Sequence, residues 1–255
     1  MRFVRYHGLG NDYLVLDHGG ALTPLLVRAL CDRHVGVGGD GILEPLPGEP
    51  GTAAGVRIWN PDGSVAEKSG NGLRIFAHWL RDLRPGTPSS FRVWTAGGVV
   101  RCDVRGNAVA VDMGVATPGP VRVLDGLEYH PVNLGNPHHV CLSRPEDWRE
   151  RGAQVEGSVE GRTNVQFAEV AGPHRVRALV WERGAGETQS SGSSACAVAF
   201  VAVRSAGCKS PVTVEMPGGA LVVDVYDDGE VRLEGPVERV ARVEVDPDWL
   251  RHRMR

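Results

Sequence analysis

The sequence is poor in the features that mark several large classes of protein. Its five cysteines (Cys31, Cys102, Cys141, Cys196 and Cys208) are odd in number, scattered and without a CxxC pair. That spacing argues against a disulfide framework or a zinc site and for reduced thiols. No stretch approaches the ~18 apolar residues that a membrane span needs. The opening MRFVRYHGLGNDYLVLD lacks the continuous apolar core of a signal peptide, so a cytoplasmic protein with no membrane partner is expected. Basic excess is missing too: a formal net charge of −3 with 23% charged residues offers no electrostatic footprint for nucleic acid. Aromatic residues are only 6%, against Gly 34 and Pro 17, which predicts many turns and an α+β or β-rich chain. The hydrophobic content of 42% over 255 residues is enough for one large core or two medium ones.

What is present is a repeat. Leu9-Gly10-Asn11 returns as Leu134-Gly135-Asn136, and Ile58-Trp59 as Val180-Trp181. Ser69-Gly70-Asn71-Gly72 returns as Ser191-Gly192-Ser193-Ser194, and Thr95-Ala96-Gly97-Gly98 as Met216-Pro217-Gly218-Gly219. Four landmarks in one order at a nearly constant offset imply two lobes of common ancestry. The boundary is expected near residues 115–130, giving lobes over 1–120 and 121–255, with the C-terminal tail free to return to the first lobe.

Each lobe has the same coarse layout. Alternating runs such as Val99 to Val104 and Ala220 to Val225 read as half-buried strands punctuated by glycine. Thr23-Pro24 predicts an N-cap and first helical residue, opening a helix to about Asp32. Gly70 to Leu83 carries a helical apolar stripe at Leu73, Phe76, Leu80 and Leu83. Gly192 to Ala206 is apolar nearly all round, the mark of a helix buried within a curved or closed sheet. The fold class expected is therefore α/β (α+β), two pseudo-symmetric lobes, each a curved sheet or barrel around a central helix.

Ser69 and Ser191 stand where a loop becomes a helix. Serine is a favoured N-cap, and that structural role stands beside a functional one. Were the two lobes to pack face to face, both helix starts would address one cleft, and their free N–H groups would bind an anion such as an α-carboxylate. Inversion of a carbon needs a base on one face and an acid on the other, which two related lobes supply. Polar residues cluster near the same landmarks: His7, Asn11, Asn60, Asn136, His138, Asn164, Glu182 and Arg183. Each asparagine has an ordinary reading as a turn residue, His138 as a structural histidine, and Glu182 with Arg183 as a solvated pair.

These residues resemble the diaminopimelate epimerases over almost the whole chain. HGLGNDY (7–13), GVGGDG (36–41), NPDGS (60–64), SGNGLR (69–74), GNPH (135–138), TN (163–164), ERGAGETQ (182–189) and SGSSAC (191–196) fall in family order and spacing. The resemblance implies epimerisation of LL- to meso-diaminopimelate in lysine biosynthesis by two α/β lobes, in a homodimer, with no cofactor and no metal. It matches Asn60, Asn164 and Arg183, with Glu182 beside them, to the positions that hold the distal end of the substrate. Gly70, Asn71, Gly192 and Ser193 match the cradle of the reacting carboxylate, and Asn11 and Asn136 the remaining polar wall. His138 matches a histidine that supports a catalytic cysteine.

The acid and base of the family are cysteines, and the matching residues here are Ser69 and Ser191. A thiol ionises near ~8.5 and is readily made a thiolate, whereas an alkoxide is far harder to form. Each pK unit of lost basicity corresponds to ~1.4 kcal/mol. Cys196, five residues into the helix, reads as a small buried residue rather than a replacement. Four functions stay open. The first is a serine form of the epimerase with its substrate wall intact. The second is isomerisation or dehydration of another amino acid or hydroxy acid, with His138, Glu182 or Lys68 as base. The third is a non-catalytic amino-acid-binding protein, and the fourth a partner-binding module, against which the retained polar wall argues.

Overall fold

The computed structural model describes residues 1–253, so the end of the expected second lobe at 255 lies outside the described residues. The chain divides into two compact units, Met1–Val111 with the chain from Pro236 onward, and Asp112–Gly235. The sequence put this boundary at 120/121. The earlier crossing follows from pairing: Asp112 accepts from Arg232 at 2.7 Å and the Ala116 N–H donates to the Gly229 carbonyl. The chain from residue 112 is thereby already tied into the second unit.

The first unit runs β1 (Arg2–Gly8), β2 (Asn11–His18), α1 (Pro24–Cys31), β3 (Ile42–Leu46), β4 (Ala54–Trp59), β5 (Val65–Ala66), α2 (Gly70–Leu83), β6 (Ser90–Thr95), β7 (Gly98–Arg105) and the start of β8 (Ala108–Val115). The second continues with β9 (Thr117–Pro118), β10 (Arg122–Leu124), β11 (Leu127–Asn133), β12 (Pro137–Cys141), α3 (Trp148–Ser158), β13 (Asn164–Gly172), β14 (Arg175–Glu182) and β15 (Gly186–Thr188). It ends with α4 (Gly192–Ser205), β16 (Val212–Met216), β17 (Gly219–Val225) and β18 (Glu230–Pro236). Then β19 (Glu238–Glu244) and α5 (Pro247–Arg253) rejoin the first unit, β19 lying antiparallel along β1.

The internal pairing of the two units is the same. In the first, β1–β2 is antiparallel, β2–β3 parallel and β3–β4 antiparallel; β4 then pairs with β5 antiparallel and with β6 parallel, and β6–β7 closes antiparallel. The second repeats this order of parallel and antiparallel pairs with β11 to β17. A helix sits after the fifth strand of each series, and it is the buried one. In α4, Ala195 through Ala199 are fully buried, and the helix packs on β11, β12, β13, β14, β16 and β17. Enclosure by strands on so many sides explains why its sequence shows no polar face. The α2 helix packs on β1, β2 and β7 and buries Leu73, Ile75, Phe76 and Leu80.

The outer helices close satellite cores. Leu26, Val27 and Leu30 of α1 pack with Phe3, Leu14 and Ile42, with Trp249 and Leu250 of α5 at the edge. Trp148 and Val155 of α3 pack with Tyr129, Val165 and Phe167. The repeated tryptophans are anchored alike: the indole N–H of Trp59 donates to Glu44 at 2.9 Å and that of Trp181 to Glu156 at 2.8 Å. All five cysteines are buried and none forms a disulfide among the described residues. No helix among the described residues is long and apolar enough to cross a membrane.

Glu156 also accepts from the Gly184 N–H at 2.7 Å and pairs with Arg162 at 2.7 Å, with its own side chain 6% exposed. Burial alone raises such a carboxyl, but the Trp181 and Gly184 N–H groups and the Arg162 guanidinium overcome it and hold Glu156 below the ordinary range. We expect Glu156→Ala to lower stability by about 1–3 kcal/mol, because the part-buried Trp181 and Gly184 N–H donors lose their acceptor. Urea denaturation measures it. A depressed carboxyl stabilises above its unfolded value of 4.5 and loses that contribution as pH falls through the folded value. The gap between wild type and variant therefore narrows in acid.

Candidate active site

The first half-site forms at the start of α2. A two-residue turn joins β1 to β2, with Gly8 opposite Asn11 and positive φ at Leu9 (56°) and Gly10 (88°). Left-handed backbone at two successive residues gives the tight turn that matches strand twist, and a leucine there costs roughly 1–2 kcal/mol. Asn11 follows it directly. Its Nδ2 donates to Asp40 at 3.0 Å, and its Oδ1 accepts from Asn71 Nδ2 at 3.1 Å. Arg74, fully buried, donates to Asn71 Oδ1 at 2.5 Å. Asp40 and Asp12 share Arg33, at 2.6 and 2.7 Å, and Arg5 reaches Asp12 at 2.5 Å. Burial opposes charge on Asp12, but the two guanidiniums win and lower it.

Ser69 caps α2. Its Oγ accepts from the Gly72 N–H at 3.1 Å and shares a hydrogen bond of 3.2 Å with the Tyr13 hydroxyl. Gly41 makes room for that ring: a Cβ there would lie 2.4 Å from the Trp59 carbonyl and 2.6 Å from Tyr13 Cε1. The reading of GVGGDG as a motif thus has a steric reason at its last glycine.

The second half-site forms at the start of α4. Ser191 takes nearly the same backbone conformation as Ser69, φ −142° and ψ 124° against φ −142° and ψ 120°. Its side chain makes no capping bond, so the first N–H groups of α4 keep their lack of an intrahelical acceptor. Beside it runs one network. Gln166 Nε2 donates to Ser194 Oγ at 3.0 Å and meets His138 Nδ1 at 3.0 Å; His138 Nε2 meets Asn136 Oδ1 at 3.0 Å; Asn136 Nδ2 reaches Ser193 Oγ at 3.5 Å. An amide donor at Nδ1 and a carbonyl acceptor at Nε2 fix the neutral Nε2–H tautomer. Ser190 Oγ and Gln166 Oε1 are buried with no hydrogen-bond partner.

His138 is not poised as a base. It is fully buried, and burial together with the adjacent His139 pushes it down to about 3, against the Gln166 hydrogen bond. Both ring nitrogens are engaged within its own network, and the ring pins Asn136 to Gln166.

The distal group is divided. Asn164 Nδ2 donates to the Pro137 carbonyl at 2.9 Å and its Oδ1 accepts the Arg183 N–H at 3.1 Å. Glu182 Oε1 accepts from Thr188 at 2.7 Å. Asn60 opens the turn before β5, its amide held by Ser64 Oγ at 2.9 Å. Asn11, Ser69 and Asn71 are thus brought together in one unit, as are Asn136, His138, Ser193 and Ser194 in the other. Among the described residues no hydrogen bond ties Asn60 to Ser69, and no group of three or more His, Cys, Asp or Glu is placed to hold a metal.

Sequence reasoning missed Tyr13, Gln166 and Ser194. A signal existed for two of them. Tyr13 stands four residues after Leu9 as His138 stands four after Leu134, and Gln166 shares a strand face with Asn164 two positions before it.

Known proteins resemble this chain along its length. The family profile described as Diaminopimelate epimerase matches residues 3–118 and 131–240. Diaminopimelate epimerase 2 of Nostoc sp. is 38% identical over 97% of this chain and 96% of its own. The diaminopimelate epimerase of Pseudomonas paraeruginosa is 36% identical over 94% of this chain and 97% of its own. Among solved structures, a predicted epimerase from Pseudomonas aeruginosa superposes with a TM-score of 0.73 at 21% identity, covering 96% of this chain and 98% of that one. A probable proline racemase from Agrobacterium radiobacter does so with 0.76 at 14%, covering 97% and 93%. Both likenesses show the fold.

The state of His138 is directly measurable. Its ring resonances should not move between pH 5 and 8, because it gains a proton only near 3. The unfolded histidine takes up that proton near 6.5, so the contribution of this group to stability is complete above 6.5 and declines as pH falls toward 3. A ring titrating near 6.5 in the folded protein would place it in solvent.

Proposed function

Because the chain belongs to the diaminopimelate epimerase family of isomerases, we propose that it binds diaminopimelate through both half-sites and is a serine form of the LL-to-meso epimerase. The observation that carries this reading is the matched backbone of Ser69 and Ser191 at two helix starts. The first N–H groups of α2, at Gly70 and Asn71, and those of α4, at Gly192 and Ser193, would each offer a substrate carboxylate contacts, because the helix dipole favours negative charge there. Asn11 and Asn136, each braced by a network of its own unit, would supply polar contacts to the substrate. Asn60, Asn164, Glu182 and Arg183 would take the distal amino acid group. We place the protein in the cytosol, where free diaminopimelate would be its substrate.

Inversion needs one group to remove the α-proton while another delivers a proton to the opposite face. Serine hydroxyls stand at both matching positions and are poor bases. Turnover of this chain is accordingly expected to be slow, with binding intact. Isomerisation of another substrate by His138 is disfavoured by its buried, uncharged and doubly bonded ring.

The test restores the thiols. Ser69→Cys with Ser191→Cys should raise epimerisation of diaminopimelate by at least ~100-fold, while neither single change reaches the rate of the pair. Chiral separation of the products gives the rate. A folded double variant that binds diaminopimelate no better than lysine and leaves its α-carbon untouched contradicts the proposal.

A further inference from the structure

The two serines are not equivalent, and the difference lies in what touches them. Ser69 Oγ accepts the Gly72 N–H and shares a hydrogen bond with the Tyr13 hydroxyl, whereas Ser191 makes no capping bond. Tyr13 occupies, by the internal repeat, the position that His138 occupies in the second unit. His138 is turned into its own network with Asn136 and Gln166; Tyr13 is turned onto the serine. Gly41, which would clash with the Tyr13 ring if it carried a Cβ, keeps the ring in that position.

From this the geometry points to Tyr13 as the proton-accepting partner of Ser69, making the first half-site the only one competent to remove an α-proton. The protein then exchanges the α-hydrogen of diaminopimelate at centres of one hand, with retention, faster than it inverts them. The inference rests on the proposed binding of diaminopimelate. Tyr13 acts through Ser69 and is a positioning residue that also stores a proton.

Solvent hydroxide takes the phenolic proton, leaving a phenolate hydrogen-bonded to the Ser69 hydroxyl. The substrate Cα–H bond breaks with its proton passing to Ser69 Oγ as the Ser69 hydroxyl proton passes to the Tyr13 oxygen. The electron pair of the broken bond stays on the substrate, spread into the carboxylate. Ser69 is half-exposed, so the hydrogens of the pair exchange with water, and in heavy water a deuteron returns to the same face. Because solvent hydroxide must first take the phenolic proton, the rate should climb about tenfold per pH unit from 7 to 9.

Other groups on the surrounding elements bear on that profile. On β2 and in the loop before β3, Asp12 and Asp40 are held by Arg5 and Arg33. On β1, Tyr6 lies opposite Tyr13, and burial raises it beyond this pH range, while His7 lies opposite Asp12. Arg74 of α2 is bonded to Asn71, and β3 and β4 bring Ile42 and Trp59, which do not titrate. Lys68 precedes Ser69, and a lysine ordinarily titrates in the range of a phenol.

The experiment follows deuterium incorporation into LL- and meso-diaminopimelate by mass spectrometry and chiral separation, from pH 7 to 9. It uses wild type, Tyr13→Phe, Lys68→Arg and the Ser69→Cys, Ser191→Cys pair. Expected are exchange with retention in wild type, a rising profile, and a loss of at least ~100-fold with a flat profile in Tyr13→Phe. A spectroscopic phenolate titration of wild type against a Tyr13→Phe variant shown to be folded by circular dichroism locates the phenol independently of activity. The inference is overturned by wild-type exchange rates in Tyr13→Phe, by equal exchange at centres of both hands, or by a profile that vanishes in Lys68→Arg instead. It is overturned as well if wild type exchanges nothing while the cysteine pair epimerises. When the cysteine pair is also inert and binds no diaminopimelate, the proposed function falls and this inference with it.

Discussion

The first turn of an α-helix carries N–H groups that no residue of the helix can accept, and in this chain two such turns are buried. Burial makes those groups costly unless something else receives them. In α2 the Ser69 hydroxyl receives one, from Gly72; in α4 the Ser191 hydroxyl receives none. Much of the polar structure around the two helix starts braces the residues beside them. Asn11, Asn71, Arg74 and Asp40 form the brace of the first, and Asn136, His138, Gln166 and Ser194 that of the second.

The braces differ in kind. The first is ionic, with two aspartates and two arginines behind Asn11. The second is neutral, built on a histidine that burial keeps uncharged. Ion pairs behind Asn11 and uncharged hydrogen bonds around His138 create different surroundings for two serines of like backbone. A cysteine at either position would gain acidity from the helix dipole. A serine gains too little from that alone, and the neighbouring hydroxyl of Tyr13 becomes the chemically distinctive feature of its half-site.

Much of this was legible in the sequence because the repeat is legible. The landmarks at Leu9, Ile58, Ser69 and Thr95 fixed two units with one topology, and helical periodicity placed α2 at Gly70–Leu83. The all-round apolar composition of α4 announced a helix enclosed by strands. The crossing between units was misplaced because β8 continues without a turn signal while its partner changes. The return of β19 to β1 depends on pairing between the two ends of the chain, and strand partnership at that separation leaves no local pattern. At the site, motif residues were identified singly, but which of them touch was not readable. Tyr13 resembled an ordinary core aromatic until its hydroxyl was seen on Ser69, and His138 had the composition of a base without the solvent exposure of one.

The proposal that diaminopimelate binds although serines stand where the family has cysteines is tested by ligand selectivity, without requiring catalysis. Calorimetric titration of the protein compares meso-diaminopimelate with L-lysine, which lacks the second carboxylate and otherwise has nearly the same chain. The account predicts that diaminopimelate binds at least ~10-fold more tightly, corresponding to about 1.4 kcal/mol, since the distal carboxylate finds its own polar group. Equal affinities for the two, or no binding of either by the folded protein, would contradict it.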